Sequence, residues 1–304
     1  MQEAFVDVNS IPTHIITWGK CIEESLDNVQ EVVICIPGNP GLPGFYTEFG
    51  GTLQQQLGLT GRDLPVWVIG HAGHYDPPEA EVPQLTGNEE LFNLNGQVTH
   101  KIEFIKKYIP RHVKIHLIGH SIGAWMTLQL LQKKQIRDRI KKCYLLFPTV
   151  ERMAESPNGQ TFTNIVMPFY SVFGNVLFNL LKAMPIWLQS QIYLRIFSIP
   201  CDHVSTALKC QPSVAEKAAF LVDDEMARVR GLQCELIEQH LPLLKFYYGA
   251  KDDWVPVAYY EELIRLFPQA DAQLDTKGID HAFVLSSSKP MALIVSNMIQ
   301  QTTN

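Results

Sequence analysis

The run Ile115-His-Leu-Ile-Gly-His-Ser-Ile-Gly123 sets a serine between two glycines, where an apolar strand gives way to a helical pattern over Ala124–Lys134. In that strand–turn–helix setting Gly119-His120-Ser121-Ile122-Gly123 is a nucleophile elbow. A turn that tight holds Ser121 in a strained backbone conformation and lifts its hydroxyl clear of the sheet. The helix that starts directly behind it turns free N–H groups and a positive dipole end toward an oxyanion forming on an attacked carbonyl. The chemistry open to these residues is acyl transfer through a serine ester.

A serine nucleophile needs a base, and the base needs an orienting carboxylate. On sheets that carry this elbow the chain order is Ser, Asp/Glu, His. Two aspartates compete for the acid in Tyr248-Gly-Ala-Lys-Asp252-Asp253-Trp-Val-Pro256. Asp252 stands three residues past the strand-ending Gly249, the usual position of the orienting acid, and is favoured. Asp253 is better placed to cap the following helix. His281 is the only histidine downstream of Asp252, so the order rule leaves it as the base. Asp280, its chain neighbour, is poorly placed to orient the adjacent imidazole.

The oxyanion needs two backbone donors. Ile122, the residue after the nucleophile, supplies one. The second is expected from Asn39 in Pro37-Gly38-Asn39-Pro40-Gly41, where neither proline has an N–H to give. His71-Ala-Gly-His74-Tyr-Asp76 resembles a metal-ligand cluster, but nothing else in the chain completes a ligand set, and no metal is expected. His120, inside the elbow, reads as a packing or hydrogen-bonding residue rather than a second base.

These residues have to be carried by a sheet. Thr13–Trp18 reads as a strand within a polar N-terminal hairpin region. Glu31–Pro37 and Pro65–Gly70 read as strands buried on both faces, as parallel strands are. Lys142–Phe147, Leu244–Gly249 and Ala272–Asp275 follow as further strands. Helical spacing covers Tyr46–Leu57, Leu94–Tyr108, Val257–Phe267 and Pro290–Gln301, and the polar stretch up to Glu90 reads as loop. Strands alternating with helices at this rhythm specify an α/β fold with a mostly parallel, doubly wound sheet.

The chain has 304 residues, of which 46% are hydrophobic and 18% charged, enough for one large domain with an insertion. A net charge of −6 without basic stripes gives no footprint for nucleic acid. Cys35 and Cys143 fall in apolar strands. The cysteines form no C-x-x-C pair, and the first residues lack a basic segment and an apolar core, so a reducing intracellular setting is expected.

The insertion, 150–242, divides the core into 1–149 and 243–304. It has no charged residue from Ser156 to Leu181, and only Lys182 and Arg195 from Ile165 to Pro200. Aromatic residues are dense between 162 and 200. No run of about 20 apolar residues occurs, so a transmembrane span is not expected. Two apolar helices broken around Lys182–Pro185, able to lie in a lipid surface, fit the composition. So does a helical lid over the site.

Taken together, these segments make the chain similar to the lipid droplet-associated hydrolase family. The resemblance rests on Ile36-Pro-Gly-Asn-Pro-Gly41, Pro65-Val-Trp67, His71-Ala-Gly-His74, Leu94-Asn-Gly-Gln97 and the elbow. It continues through Leu145-Leu-Phe-Pro-Thr149, Phe246-Tyr-Tyr-Gly249, Asp252, Trp254, Pro256 and His281-Ala-Phe283. It implies an α/β-hydrolase fold with an apolar helical cap and a triad of Ser121, Asp252 and His281. It also implies a cofactor-free serine hydrolase of sterol or other neutral lipid esters. Its place would be the cytosolic face of lipid droplets and the endoplasmic reticulum, held peripherally by 162–200, with no obligatory protein partner. The alternatives are a droplet-coating protein with little hydrolytic activity, and an acyltransferase that uses the same acyl-enzyme.

Overall fold

The computed structural model describes residues 1–77 and 81–302, so residues 78–80 of the expected loop lie outside the described residues. Among the described residues eight strands form one sheet. Gln2–Val8 (β1) and Ile11–Trp18 (β2) pair antiparallel, with Val8 opposite Ile11. Their two-residue turn, Asn9-Ser10, has positive φ at both positions (55° and 60°), the twist a tight hairpin needs. The other strands are Glu31–Ile36 (β3), Val66–Ile69 (β4), Lys114–His120 (β5), Ile140–Leu146 (β6), Leu244–Tyr248 (β7) and Ala272–Leu274 (β8). The sheet order is β1-β2-β4-β3-β5-β6-β7-β8, parallel from β4 onward.

Both faces of the sheet are covered, and β3 shows why its sequence is continuously apolar. Val32, Ile34 and Ile36 enter one core with side chains of Leu94–Tyr108 (α2) and Ile122–Leu131 (α3). Val33 and Cys35, alternating with them, enter the opposite core beneath Thr47–Leu59 (α1) and the closing helix Ser288–Gln301. Each Val or Ile so buried contributes about 1.5–3 kcal/mol. The register pairs Ile36 with Gly119 and His120 with Leu146. The carboxyl ends of β3, β5 and β6 therefore lie side by side, the edge where open α/β sheets bind ligands.

Between β6 and β7 the chain is helical. A run over Pro157–Gly174 mixes α-helix with wider π turns at Phe162–Val166 and Tyr170–Gly174, on either side of Pro168. Proline's ring and missing N–H disturb a regular α ladder there, and the wider turns keep the helix going. Asn175–Ala183 (α4), Ile186–Arg195 (α5), Val204–Lys209 (α6) and Pro212–Arg228 (α7) follow. The break at Met184-Pro185 falls where the sequence places one. A second bend, of 63°, between Pro157–Gly174 and Val176–Ala183 was not expected. Among the described residues no single helix is long and apolar enough to cross a membrane. The two helices of that bent pair are long and apolar enough only when taken together, by length and composition.

Val257–Leu266 (α8) starts where the sequence places it, but with a different cap. Pro256 precedes it without a side-chain cap, so Asp253 does not cap this helix. Asp253 is exposed, and its carbonyl accepts the Asn158 N–H at 3.0 Å.

Candidate active site

Ser121 sits at φ 53°, ψ −123°, a conformation side chains rarely adopt, held by the close packing of the elbow. The flanking glycines leave no alternative. A Cβ at Gly119 would lie 2.5 Å from the Gly123 carbonyl oxygen, and one at Gly123 would lie 2.3 Å from that of Ile36. Helix α3 can therefore press directly against β3 and β5 and present its first turn behind the serine.

The three side chains singled out from the sequence meet. His281 Nε2 is 2.8 Å from Ser121 Oγ, and His281 Nδ1 is 2.7 Å from Asp252 Oδ2. Asp252 is buried, and its other oxygen, Oδ1, accepts the N–H groups of Trp254 (2.8 Å) and Val255 (3.1 Å). The carboxylate is thereby locked as an acceptor toward Nδ1–H, which leaves the Nε2 lone pair for the serine proton. This arrangement can generate a serine alkoxide equivalent and return the proton to a leaving group.

The Pro37–Gly41 loop, where the second oxyanion donor is expected, is anchored donor by donor. Gly38 N–H donates to Tyr46 Oη (2.8 Å), Gly41 N–H to His74 Nδ1 (2.9 Å), and Leu42 N–H to the Pro40 carbonyl (2.9 Å). Pro40 has no N–H, so among the described residues the Asn39 N–H is left as the loop's free donor beside Ile122. His71 and His74 face each other with ring centroids 5.3 Å apart beneath this loop. The motif that resembles a metal cluster thus cradles Gly41, and burial holds His74 neutral, its pKa lowered to about 3.

His120 is likewise a hydrogen-bonding residue. Tyr46 Oη lies 2.6 Å from its Nδ1, and its Nε2 lies 2.8 Å from the His281 carbonyl. Burial, then the neighbouring His281, lowers its pKa to about 3, so the ring stays neutral. A chain from Gly38 N–H through Tyr46 and His120 to the His281 carbonyl thus ties the Pro37–Gly41 loop to the loop that carries His281. Tyr46 was not singled out in the sequence, where it reads only as the start of a helix.

Above Ser121 lies a cavity of about 670 Å³, within the size range of small-molecule sites. The core contributes Phe45, Trp254 and Leu285, and the insertion contributes Phe162, Val166, Tyr170, Phe178, Phe197 and Val222. Val166 and Phe197 line the cavity and are solvent-exposed. They are two of the twelve, out of seventeen exposed large hydrophobic side chains among the described residues, that lie between Ile165 and Phe197. Among the described residues Glu225 is the one acidic member of the cavity wall, and sequence reasoning missed it.

Sheet order, elbow and Ser–His–Asp geometry define an α/β-hydrolase. Solved structures agree at the level of fold. A serine hydrolase from Cycloclasticus zankles superposes with a TM-score of 0.64 at 13% identity, covering 100% of this chain and 99% of that one. An esterase from Exiguobacterium antarcticum gives 0.59 at 14%, covering 98% and 100%. The profile of the lipid-droplet associated hydrolases matches residues 29–284. The lipid droplet-associated hydrolase of Drosophila melanogaster is 67% identical over 99% of both chains. The human protein of that name is 33% identical over 99% of this chain and 95% of its own. The chain belongs to the lipid-droplet associated hydrolase family.

Proposed function

We propose that the chain is a serine hydrolase of neutral lipid esters, sterol esters among them. It would work at the surface of lipid droplets and the endoplasmic reticulum. The observation that carries this reading is a Ser121–His281–Asp252 array at hydrogen-bond distances, opening into an apolar cavity. Ser121 Oγ attacks the ester carbonyl while His281 Nε2 takes its proton. Asp252 holds the imidazole and stabilises its charged form. The Asn39 and Ile122 N–H groups receive the oxyanion. Collapse expels the alcohol, which leaves with the proton from His281. Water, deprotonated by the same nitrogen, then releases the fatty acid and frees the serine. The steps balance without a metal or organic cofactor.

The apolar surface over 162–200 is the proposed contact with the lipid phase. Val166 and Phe197, shared by that surface and the cavity wall, mark the entrance for an ester arriving from the lipid. The same patch supports a second reading, a droplet-coating protein with little turnover. One assay separates them: fatty-acid release from sterol ester and triacylglycerol emulsions by wild type and Ser121→Ala. Release by wild type that falls at least about 10⁴-fold in the variant supports the hydrolase, since removal of a triad serine costs about 2 × 10⁶ in a well-studied protease. Equal release by both proteins contradicts it.

A further inference from the structure

Gly38 and Gly41 are tied to the core, but the residue between them that offers the free N–H is tied to the cap. Asn39 Nδ2 donates to the Ala218 carbonyl (2.9 Å) and to Glu225 Oε1 (3.2 Å). Ala218 and Glu225 are seven residues apart on α7, two helical turns, and so share one face of that helix. Glu225 is 1% exposed and, like Asn39 and Ser121, lines the cavity. Burial raises its pKa to about 8, which keeps the carboxyl protonated near neutrality and adds no negative charge beside a developing oxyanion. A peptide set between glycine-bearing anchors can rotate unless something fixes it. Here the fixing bonds come from the insertion.

We propose that Glu225 is a positioning residue of the oxyanion hole, holding the Asn39 side chain so that the Asn39 N–H points at the substrate oxygen. This rests on the hydrolase reading and on Asn39 as the second donor. Its consequence is that α7 belongs to the catalytic machinery: a displacement of this helix loosens the oxyanion hole even with Ser121, His281 and Asp252 undisturbed.

The test uses the full-length protein and a soluble ester, p-nitrophenyl butyrate, at pH 7, with kcat and KM measured separately. Asn39→Ala keeps the backbone N–H and removes only the anchor. Losing an oxyanion donor outright costs about 10²–10³ in kcat, so loosening one should cost about 10–100-fold. That loss is expected for Asn39→Ala and for Glu225→Ala, with KM within about 3-fold of wild type. The double variant should be no worse than the poorer single one by more than about 3-fold, because both changes break the same bond. Glu225→Gln, a neutral acceptor of the same size, should recover most of the loss, whereas Glu225→Leu should not. If Glu225→Ala does not fold, judged by its thermal transition, the Gln–Leu pair carries the comparison. Wild-type kcat in Glu225→Leu, multiplying losses in the double variant, or Gln as poor as Leu would each overturn the proposal. Wild type that turns over no faster than Ser121→Ala would instead overturn the hydrolase reading beneath it.

Discussion

Asp252→Asn is expected to lower kcat on a soluble ester by about 10⁴, the size of effect that a wrongly set histidine tautomer has in serine proteases, while Asp253→Asn stays within about 2-fold of wild type. The geometry dictates which way the new amide faces. Oδ1 of residue 252 accepts two backbone N–H groups, from Trp254 and Val255, and only an oxygen can do that. The amide nitrogen is therefore left pointing at His281 Nδ1, where the carboxylate Oδ2 stood at 2.7 Å. A donor there makes Nδ1 the acceptor and puts the ring proton on Nε2, so the base cannot take the proton from Ser121. Asp253 has no such role, being exposed and engaged through its carbonyl. Steady-state kinetics of the two variants check this; a large loss at Asp253 with Asp252→Asn unaffected would reverse the assignment.

The second large effect is on the lipid surface rather than the chemistry. Phe169, Phe173, Ile186 and Trp187 are between 51% and 69% exposed, and none of them lines the cavity. A fully buried large apolar side chain contributes about 1.5–3 kcal/mol. Partial insertion of four gives about 4 kcal/mol, roughly 1,000-fold in partition between water and a lipid surface. Replacing all four by serine should abolish flotation of the purified protein with phospholipid-coated triolein droplets. Turnover of a soluble ester then reports whether the site is intact. Flotation that survives the four substitutions would contradict attachment through this surface.

Much of this was legible in the sequence because it rests on local rules. The elbow needs glycine on both sides of Ser121, and only one histidine follows Asp252. Continuously apolar β3 announces a strand buried on both faces. Asp252 and Asp253 are separable in the sequence only by their distance from a strand end, and the fold gives the physical reason: the buried one also satisfies two backbone donors. What was not legible depends on tertiary contact. Glu225 follows Asp223 and Asp224 on a helix of mixed polarity, which reads as a solvated face until α7 is laid across the oxyanion loop. Tyr46 gives no signal of its bridge to His120, made across 74 residues. His71 and His74 carried a pattern suggestive of metal binding. His74 Nδ1 instead accepts the backbone N–H of Gly41, a partner that spacing alone cannot specify. The extra bend in the insertion arose where side-chain pattern says little about helix direction.

The central claim is that Ser121 is an activated nucleophile, and covalent labelling with a fluorophosphonate probe tests it most directly. Wild-type protein should be labelled at Ser121 within minutes, and labelling should vanish in Ser121→Ala and fall by at least about 10³-fold in His281→Ala, because the probe requires both the hydroxyl and its base. Correctly folded wild type that takes up no label, or that is labelled equally without His281, would contradict the account.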